Sequence, residues 1–366
     1  MPPLRVLEIS GEPYQMGYQH GQVYADDIRK LAEERVHLSM DDAWTGRALS
    51  RDDVLELAAD CMPAHQAYAP DLMDELTGLA DATGVGLPEL IVANGFTDFV
   101  DVVYNMDKNA PRTAPQYAAN DCTTFMVDAN VSKEGHGFMG QTWDMHATAF
   151  PFVVLLRGQP DDAPRFLALT VTGCVGMIGM NEAGIAIGIN NLMTADGQIG
   201  VTWPFVVRKV LQQDNLDAAL ACITEAKLAG GHNYVLMDKN SDGYNIEATP
   251  SVCIVEPFEE DARAHTNRCL NVRTEQVERG LTPDLVDDSD TRLNRATILL
   301  RDHPITPARL MAITADRSDG LYSICAMSEA PYYSETCGAA IMRPGTREFW
   351  GVWGLPNRNN YQRFIV

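Results

Sequence analysis

The periodicity of the sequence changes near residue 122. Before about residue 116, apolar residues recur at three- and four-residue spacing, as in GEPYQMGYQHGQVYADDIRKLAEERV. This pattern predicts amphipathic helices with breaks near Pro63 and Pro70 and a stop at Gly84. The segment 106–121 contains two prolines and little periodicity, which is typical of a linker. From residue 122 onward, runs of β-branched and aromatic residues alternate with turn signals and predict strands.

The order of the predicted elements limits the fold class. Runs of strands are followed by runs of helices instead of alternating with them singly, which indicates an α+β fold with antiparallel sheets covered by helices. A chain of 366 residues, 46% of them hydrophobic, is long enough to bury a large core. After the first strands, we expect helices, strands, helices and a last strand region at about 202–228, 233–255, 290–316 and 336–354.

The acidic composition excludes one class of function. The formal net charge is -22, and no basic cluster is present to bind phosphates, so nucleic acid is not expected as a partner. Groups of acids such as Asp287, Asp288 and Asp290 are interpreted as solvated loop charge. The start of the chain lacks the pattern of a signal peptide, and no run of about 18 apolar residues is present. We expect a cytoplasmic protein that does not enter membranes.

One of the eight cysteines stands in an unusual context. The eight form no C-x-x-C pair and no metal-like cluster, so most are expected to be reduced and buried. Cys122, in AANDCTTFMV, separates the polar linker from the first predicted strand. If CTTFMVDAN and HGFMGQTWDM form a hairpin centred on Lys133, Cys122 lies opposite Asp144, and Thr124 shares their face. A turn one residue longer would put Asp144 on the other face.

A thiol needs a base to act as a nucleophile at neutral pH. His136 and His146 are predicted on the turn side and at the far strand end, outside any known triad motif. Cleavage before Cys122 would supply another base, because a new α-amino group has a pKa of about 7.7 to 8.0. The thiol can start that cleavage by attacking the carbonyl of Asp121, and water then hydrolyses the thioester. On this local pattern alone, a packed cysteine beside an ordinary aspartate is the simpler interpretation.

A set of motifs changes this balance. They are GEPYQMGYQHG, DCTTF, GQTWD, GMIGMNEAGIAIGINNL, NYVLMDKNSDGYNIEATP, AHTNRCL and the late SIC at 323–325. In this order, over most of the chain, they resemble the acyl-coenzyme A:6-aminopenicillanate acyltransferase family. That family of self-processing cysteine enzymes belongs to the N-terminal-nucleophile (Ntn) hydrolases. DCTTF followed by GQTWD at this spacing is the most specific part of the resemblance.

The resemblance implies a fold and a catalytic set. The fold is an αββα four-layer Ntn-hydrolase sandwich with two antiparallel sheets. The chain is cut between Asp121 and Cys122, where the penicillin enzyme has glycine before its nucleophile. Asp144 partners the new amino terminus, and the side-chain amide of Asn267 helps to bind the oxyanion of the tetrahedral intermediate.

The resemblance also implies supporting residues. Asn190, in GINNL, falls where related enzymes offer a backbone N–H to the oxyanion, and its neighbour Asn191 competes for that position. Thr124, on the predicted face of Cys122, is a further candidate for a supporting role, although a threonine at such a position is more often a cross-strand filler. Ser334 and Glu335 align with a Ser-Arg pair of the penicillin enzyme and are candidates for substrate binding. The acid in place of the arginine favours an acyl-amine substrate with a positive group over a penicillin.

We therefore expect an N-terminal-cysteine amide hydrolase or acyltransferase that acts on a linear, non-peptide or small peptide-like N-acyl amine through a thioester. The single domain 1–366 would consist of a mainly helical fragment, 1–121, and a fragment 122–366, which stay associated. No metal or organic cofactor is implied, and homo-oligomer formation is left open. Two alternatives are an uncut cysteine hydrolase assisted by a histidine, for which His265 is the third candidate, and a non-catalytic binding protein on the same fold.

Overall fold

The computed structural model describes residues 3–106, 122–329 and 334–366. The strands in these ranges are β1 (Val6–Gly11), β2 (Thr124–Val127), β3 (Phe138–His146), β4 (Val153–Pro160), β5 (Phe166–Val171), β6 (Ile178–Asn181), β7 (Ala186–Leu192), β8 (Gly231–Met237), β9 (Gly243–Ala248), β10 (Cys253–Pro257), β11 (Ala262–His265), β12 (Ser334–Arg343), β13 (Glu348–Trp353) and β14 (Gln362–Ile365). The helices are α1 (Pro13–Met40), α2 (Asp42–Thr45), α3 (Arg51–Tyr68), α4 (Pro70–Thr83), α5 (Leu87–Ala93), α6 (Phe96–Asn105), α7 (Trp203–Val210), α8 (Leu216–Thr224), α9 (Val272–Glu275), α10 (Pro283–Leu300) and α11 (Pro307–Thr314).

Local sequence signals set several of the helix ends. Ser50 and Asp53 form a capping box at the start of α3. Pro70 occupies the first turn of α4, where its missing N–H costs nothing. The same helix ends at Gly84, whose φ of 73° lies in the left-handed region. The predicted break at Pro70 and stop at Gly84 are confirmed.

The break predicted near Pro63 is wrong, because α3 continues through this proline. Its buried residues recur at helical spacing on both sides of Pro63, so packing of one continuous apolar face outweighs the lost main-chain hydrogen bond. They are Val54, Ala58, Cys61 and His65. The strand β1, which precedes α1 in the part expected to be helical, was not predicted.

The strands of the described residues form two sheets. Sheet A has the order β1-β4-β5-β6-β7-β8-β9-β10, and sheet B has the order β11-β2-β3-β12-β13-β14. Neighbouring strands pair antiparallel except for β1 and β4, which are parallel at one edge of sheet A. The central strands β4, β5, β7 and β8 are buried almost throughout, because both of their faces are covered.

The two sheets pack face to face between two layers of helices. One layer, with α1, α7 and α8, covers the outer face of sheet A, and α10 and α11 cover the outer face of sheet B. A large apolar core joins the first helical layer, sheet A and the inner face of sheet B. A smaller core lies between sheet B and its helices and includes Phe125, Phe138, Leu310, Ile313 and Ile341. The predicted αββα sandwich of the α+β class is confirmed.

Within the described ranges, no helix has the length and apolar composition to cross a bilayer by itself. The helices Pro70–Thr83 and Leu87–Ala93 meet that criterion only when taken together, and they are bent by 113° relative to each other.

Glycines allow α1 and α4 to pack at very short distance. A Cβ added at Gly17 would lie 1.8 Å from the carbonyl oxygen of Glu75, and one at Gly78 would lie 2.1 Å from that of Tyr14. Neither position can accept a side chain unless the helices separate, and their separation would open the large core.

Gly17→Ala is therefore expected to lower the free energy of unfolding by about 1–3 kcal/mol, although alanine favours an isolated helix by about 1 kcal/mol. Gly280→Ala is the matched control, because a Cβ there meets nothing within 4 Å. Urea denaturation monitored by tryptophan fluorescence, at one protein concentration, compares the two. Equal stability of both variants would contradict the close packing of α1 on α4.

Candidate active site

Cys122 lies just before β2, where the residue is only 3% exposed. Met126 of β2 and Met139 of β3 belong to the same core as Cys122, between the two sheets. Phe125 and Phe138 belong to the core on the outer face of sheet B. Because successive side chains of a strand point to opposite faces of the sheet, the Cys122 side chain lies on the inner face of sheet B.

The strand register differs from the prediction by one residue. Thr124 pairs with Gln141, so Cys122 is not directly opposite Asp144, and Thr124 and Asp144 are on different faces of the sheet. The connection 128–137 has an even number of residues, so its centre falls between two residues and not on one. It contains a short 3₁₀ turn that the sequence pattern did not reveal, and this turn sets the register.

The thiol still contacts Asp144, through the main chain. The N–H of Asp144 donates to Cys122 Sγ at 3.4 Å, and Sγ lies 3.7 Å from the Asp144 carbonyl oxygen. The Asp144 carboxylate accepts a hydrogen bond from Thr142 Oγ1 at 3.1 Å, and this hydroxyl accepts one from the Thr123 N–H at 3.1 Å. One threonine thus connects the carboxylate to the main chain next to Cys122.

The carbonyl group of Cys122 is held by two side chains from different elements. Asn190 Nδ2 donates to this oxygen at 3.0 Å from β7 in sheet A. Arg292 Nη1 donates to it at 2.9 Å from α10 and also contacts Thr123 Oγ1 at 3.2 Å. The main chain that follows the sulfur is therefore fixed from both sides of sheet B.

Arg292 is fully buried and joins several groups of the site. Its Nε and Nη2 donate to Asp288 Oδ2 at 3.0 and 2.7 Å, one helical turn away on α10. Its Nη2 also lies 3.3 Å from Asn267 Oδ1. A planar guanidinium can serve these acceptors together, whereas a lysine could not. A single cation therefore orients both Cys122 and Asn267.

The sequence interpretation missed Arg292 and was wrong about Asp288. Asp288 was interpreted as solvated loop charge, but it lies in α10 and is only 8% exposed. The available signal was the spacing of four residues between an acid and an arginine, which places them on one helix face. That signal is common on exposed helices, so only burial identifies this pair.

Asn267, just after β11, is held at both ends of its side-chain amide. Its Nδ2 donates to the main-chain carbonyl of Asn191 at 3.0 Å, and its Oδ1 faces Arg292. Its main-chain N–H donates to Ser289 Oγ at 3.2 Å. An amide fixed in this way is suited to bind a developing oxyanion without reorganisation.

The neighbours Asn190 and Asn191 contact the site in different ways. Asn190 uses its side chain, which bonds Cys122, whereas Asn191 uses its main chain, which faces Asn267. The side-chain amide of Gln141 bonds both main-chain groups of Ile189. The Ile189 N–H donates to Gln141 Oε1 at 2.7 Å, and Gln141 Nε2 donates to the Ile189 carbonyl oxygen at 3.0 Å. These groups point away from β8, and successive residues of a strand alternate in direction. The main-chain groups of Asn190 therefore point toward β8, and those of Asn191 point toward Asn267. Thr124 Oγ1 donates to Asn190 Oδ1 at 2.8 Å and so orients the amide that holds Cys122.

Two of the candidate histidines, His265 and His146, have other partners. Both ring nitrogens of His265 face acceptors, with Nε2 3.0 Å from Glu247 Oε1 and Nδ1 2.7 Å from the Thr266 carbonyl oxygen. Both ring nitrogens of His265 are therefore already in contact with oxygen atoms of other residues. His146 Nδ1 lies 2.8 Å from Arg35 Nη1, and burial followed by the charge of Arg35 lowers the pKa of His146 well below its usual value.

Ser334 and Glu335 are placed on opposite faces of β12. Ser334 lines a small cavity of about 20 Å³ beside α10, together with Leu285, Asp288, Leu321, Tyr322, Ala326 and Met327. Asp288 connects this cavity to Arg292. Glu335 pairs with Met145 and is half-buried, and burial raises the pKa of its carboxyl while Arg358 opposes the rise.

Asp121, the residue before the predicted cleavage point, lies outside the described residues. Within the described part of the chain, no group of three or more His, Cys, Asp or Glu side chains is arranged to hold a metal ion.

Comparison with known proteins identifies the family. The family model described as acyl-coenzyme A:6-aminopenicillanic acid acyl-transferase matches residues 131–358, more than half of the chain. The chain belongs to this family. The predicted resemblance is thus confirmed, and the match includes Asp144, Asn190, Asn267 and Ser334 but begins after Cys122.

The individual relatives of this chain described below have low sequence identity to it. A protein of Archaeoglobus fulgidus with no assigned function is 25% identical over 344 residues, which cover 87% of this chain and 53% of that protein. The chain therefore spans about half the length of that relative. The acyl-coenzyme A:6-aminopenicillanic-acid-acyltransferase 40 kDa form of Emericella nidulans is 23% identical over 319 residues, which cover 86% of this chain and 82% of that protein.

The chain also resembles solved structures, at lower sequence identity. A mutant of the conjugated bile acid hydrolase from Clostridium perfringens has a TM-score of 0.44 at 10% identity, and the similarity covers 67% of this chain and 97% of that one. Penicillin V acylase from Agrobacterium tumefaciens has a TM-score of 0.43 at 12% identity, and the similarity covers 63% of this chain and 82% of that one.

Arg292→Met is expected to lower the free energy of unfolding of this family member by about 3–5 kcal/mol, because Asp288 would stay buried without its cation. Arg295→Met is the matched control on the same helix. Arg295 pairs with Asp316 at a partly exposed position, where the loss should be at most about 1 kcal/mol. Chemical denaturation of both variants at one protein concentration measures the two losses in free energy of unfolding. Similar losses would contradict the role of Arg292 as the buried residue that connects Cys122, Asn267 and Asp288.

Proposed function

We propose that the chain is a self-processing cysteine enzyme that hydrolyses a linear N-acyl amine or transfers its acyl group, with Cys122 as the nucleophile. The observation that carries the proposal is the convergence on Cys122 of three elements. Its sulfur lies against the main chain of Asp144, and its carbonyl is fixed by Asn190 and Arg292. A cysteine that only fills space in a core does not require a hydrogen bond from a buried cation, here Arg292, to its own carbonyl oxygen.

The maturation step is a cleavage between Asp121 and Cys122. The Cys122 thiol attacks the carbonyl carbon of Asp121, the C–N bond breaks, and the nitrogen of Cys122 takes up the proton, which leaves a thioester. Water then hydrolyses the thioester to give the Asp121 carboxylate and the free thiol. The fixed carbonyl of Cys122 supports this step, because it restricts the rotation of the residue that must attack its own preceding bond.

The free amine of Cys122 then acts as the base. Its reference pKa of about 7.7 to 8.0 suits proton transfer near neutral pH. It takes the thiol proton as sulfur attacks the substrate carbonyl, and it returns this proton to the leaving amine. The acyl group stays on sulfur as a thioester. Water, or an acceptor amine, attacks the thioester and regenerates the thiol.

The tetrahedral oxyanion would be bound by Asn267 Nδ2 and the main-chain N–H of Asn191. Asn267 lies against the main chain of Asn191, since its Nδ2 donates to the Asn191 carbonyl oxygen at 3.0 Å. Asp144 would hold the charged form of the new amino terminus through its carboxylate. Arg292 acts as a positioning residue that keeps Asn267 and Cys122 in fixed positions relative to each other.

The substrate is expected to have an apolar acyl group. Leu285, Leu321 and Met327 line the small cavity that contains Ser334 and Asp288, next to the Arg292 network; at about 20 Å³ it must widen before an acyl group can enter. The name of the Emericella nidulans relative supports transfer of an acyl group to or from an amine. Hydrolysis is the simpler default, because transfer requires the exclusion of water.

Cleavage can be tested by denaturing electrophoresis of freshly purified protein. The wild-type chain is expected to give fragments of about 13 and about 27 kDa, in proportion to 121 and 245 of the 366 residues and a mass of 40.2 kDa. Cys122→Ala should remain a single chain, because no thiol is present to attack. Cys61→Ala, at another buried cysteine, should still be cut. A wild-type chain that stays whole while it turns over substrate would refute self-processing.

Asn267→Ala is expected to lower kcat by about 100-fold with little change in KM, because an oxyanion donor contributes about 3 kcal/mol in the transition state only. The assay uses the best substrate from a mass-spectrometric screen of N-acyl amino acids, β-amino acid amides, lactams and acyl-amines. Asn240→Ala, in an exposed turn, is the control. A higher KM with unchanged kcat would instead place Asn267 in substrate binding.

A further inference from the structure

A second cavity opens on the outer helical layer, away from the Cys122 network. It has a volume of about 240 Å³ and lies where the starts of α1 and α4 meet the end of α7 and the turn between β4 and β5. Its lining includes the buried pair Arg208 and Glu75 and the exposed turn residues Asp161 and Asp162. The mechanism proposed above uses none of these side chains.

The buried pair is only partly satisfied by the protein. Arg208 and Glu75 are 2% and 1% exposed, and a single contact of 3.3 Å joins Arg208 Nη2 to Glu75 Oε2. In the described part of the chain, Arg208 Nε and Nη1 and Glu75 Oε1 have no hydrogen-bond partner. The guanidinium lies 3.9 Å above the ring of Phe166, which fixes its plane. Two donors and one acceptor are thus held in fixed positions without partners.

Unpaired charged groups at such depth are costly, and the cost is removed when a ligand supplies the missing partners. The donors of Arg208 match a carboxylate, which guanidinium groups bind through charge-assisted hydrogen bonds; Nε and Nη1 lie on different edges of the group, so a carboxylate would bind one of them together with Nη2. The acceptor Glu75 Oε1 belongs to the carboxylate that contacts Arg208 through its other oxygen, and it matches an ammonium group. A carboxylate and an ammonium on neighbouring atoms describe an α-amino acid.

The rest of the cavity fits the same ligand. Asp161 and Asp162 at the exposed side attract a cationic group, and Met16, Leu72 and Ala163 supply apolar wall. Burial raises the pKa of Glu75, while the charge of Arg208 opposes the rise, so an added ammonium would favour the ionised carboxylate further. No described group of acids here or elsewhere is arranged for a metal ion.

We propose that this cavity is a binding site for a free aliphatic α-amino acid, whose carboxylate binds Arg208 and whose ammonium binds Glu75. The site is separate from the proposed active site and does not depend on its chemistry. Leucine is the probe of choice, because its side chain is apolar and its size suits the cavity.

Isothermal titration of the wild-type protein with leucine, 4-methylpentanoate and leucinamide tests the proposal. The second compound lacks the ammonium, and the third lacks the carboxylate charge. Leucine should bind at least about tenfold more tightly than either, because each analogue leaves one buried charge unpaired. Arg208→Lys and Glu75→Gln should each weaken leucine binding at least about tenfold. Arg165→Lys, on the same β4–β5 hairpin but outside the cavity, should not.

Further variants keep the test decisive. If a change at the buried pair prevents folding, Ala163→Trp, at a half-exposed position of the cavity wall, should abolish leucine binding by filling the volume. Binding that persists in Cys122→Ala would separate this site from the active site. The proposal is overturned if leucine does not bind, or if folded Arg208→Lys or Ala163→Trp protein binds it as the wild type does, which would leave a water-filled structural ion pair.

Discussion

The hydrogen bonds to the carbonyl oxygen of Cys122 are the interaction on which the site depends. Arg292 reaches this oxygen from the helices outside sheet B, and Asn190 reaches it from sheet A. Together the two contacts require sheet A, sheet B and the helices outside sheet B to be in place, because neither side chain belongs to the segment that carries the cysteine. Arg292 is fully buried, and Asp288 balances its charge. The layered fold therefore positions the candidate site and also stabilises the chain.

Buried ion pairs recur in this acidic protein. The net charge is -22, yet arginines lie in the interior beside single acids. Arg279 bonds Asp101 at 2.8 Å, with both side chains 1% exposed. Asp101 lies in α6, the last helix before residues 107–121, whereas Arg279 follows Cys122 in the chain. This pair fastens the N-terminal segment to the remainder without a peptide bond, which supports the proposal that the two fragments stay associated after cleavage.

The sequence was sufficient for the fold class and for the choice of Cys122, Asn267 and Asn190 as candidates. Periodicity and order of elements suggest two sheets covered by helices, and family motifs place the named residues in one region. Register was beyond reach, because it depends on a 3₁₀ turn before Lys133 that has no marked pattern. Arg292 was beyond reach as well, since an acid and an arginine four residues apart look the same on an exposed helix and in a core.

The central claim is that the α-amino group of Cys122 serves as the base, and intact-mass spectrometry of the enzyme trapped during turnover tests it most directly. The acyl group of a slow substrate should be found on a fragment of about 27 kDa whose first residue is Cys122, the mass expected for residues 122–366 of a 40.2 kDa chain. Its α-amine should remain unmodified. An active, acylated chain of 40.2 kDa that still begins at its original terminus would contradict the account and require a base from elsewhere in the protein.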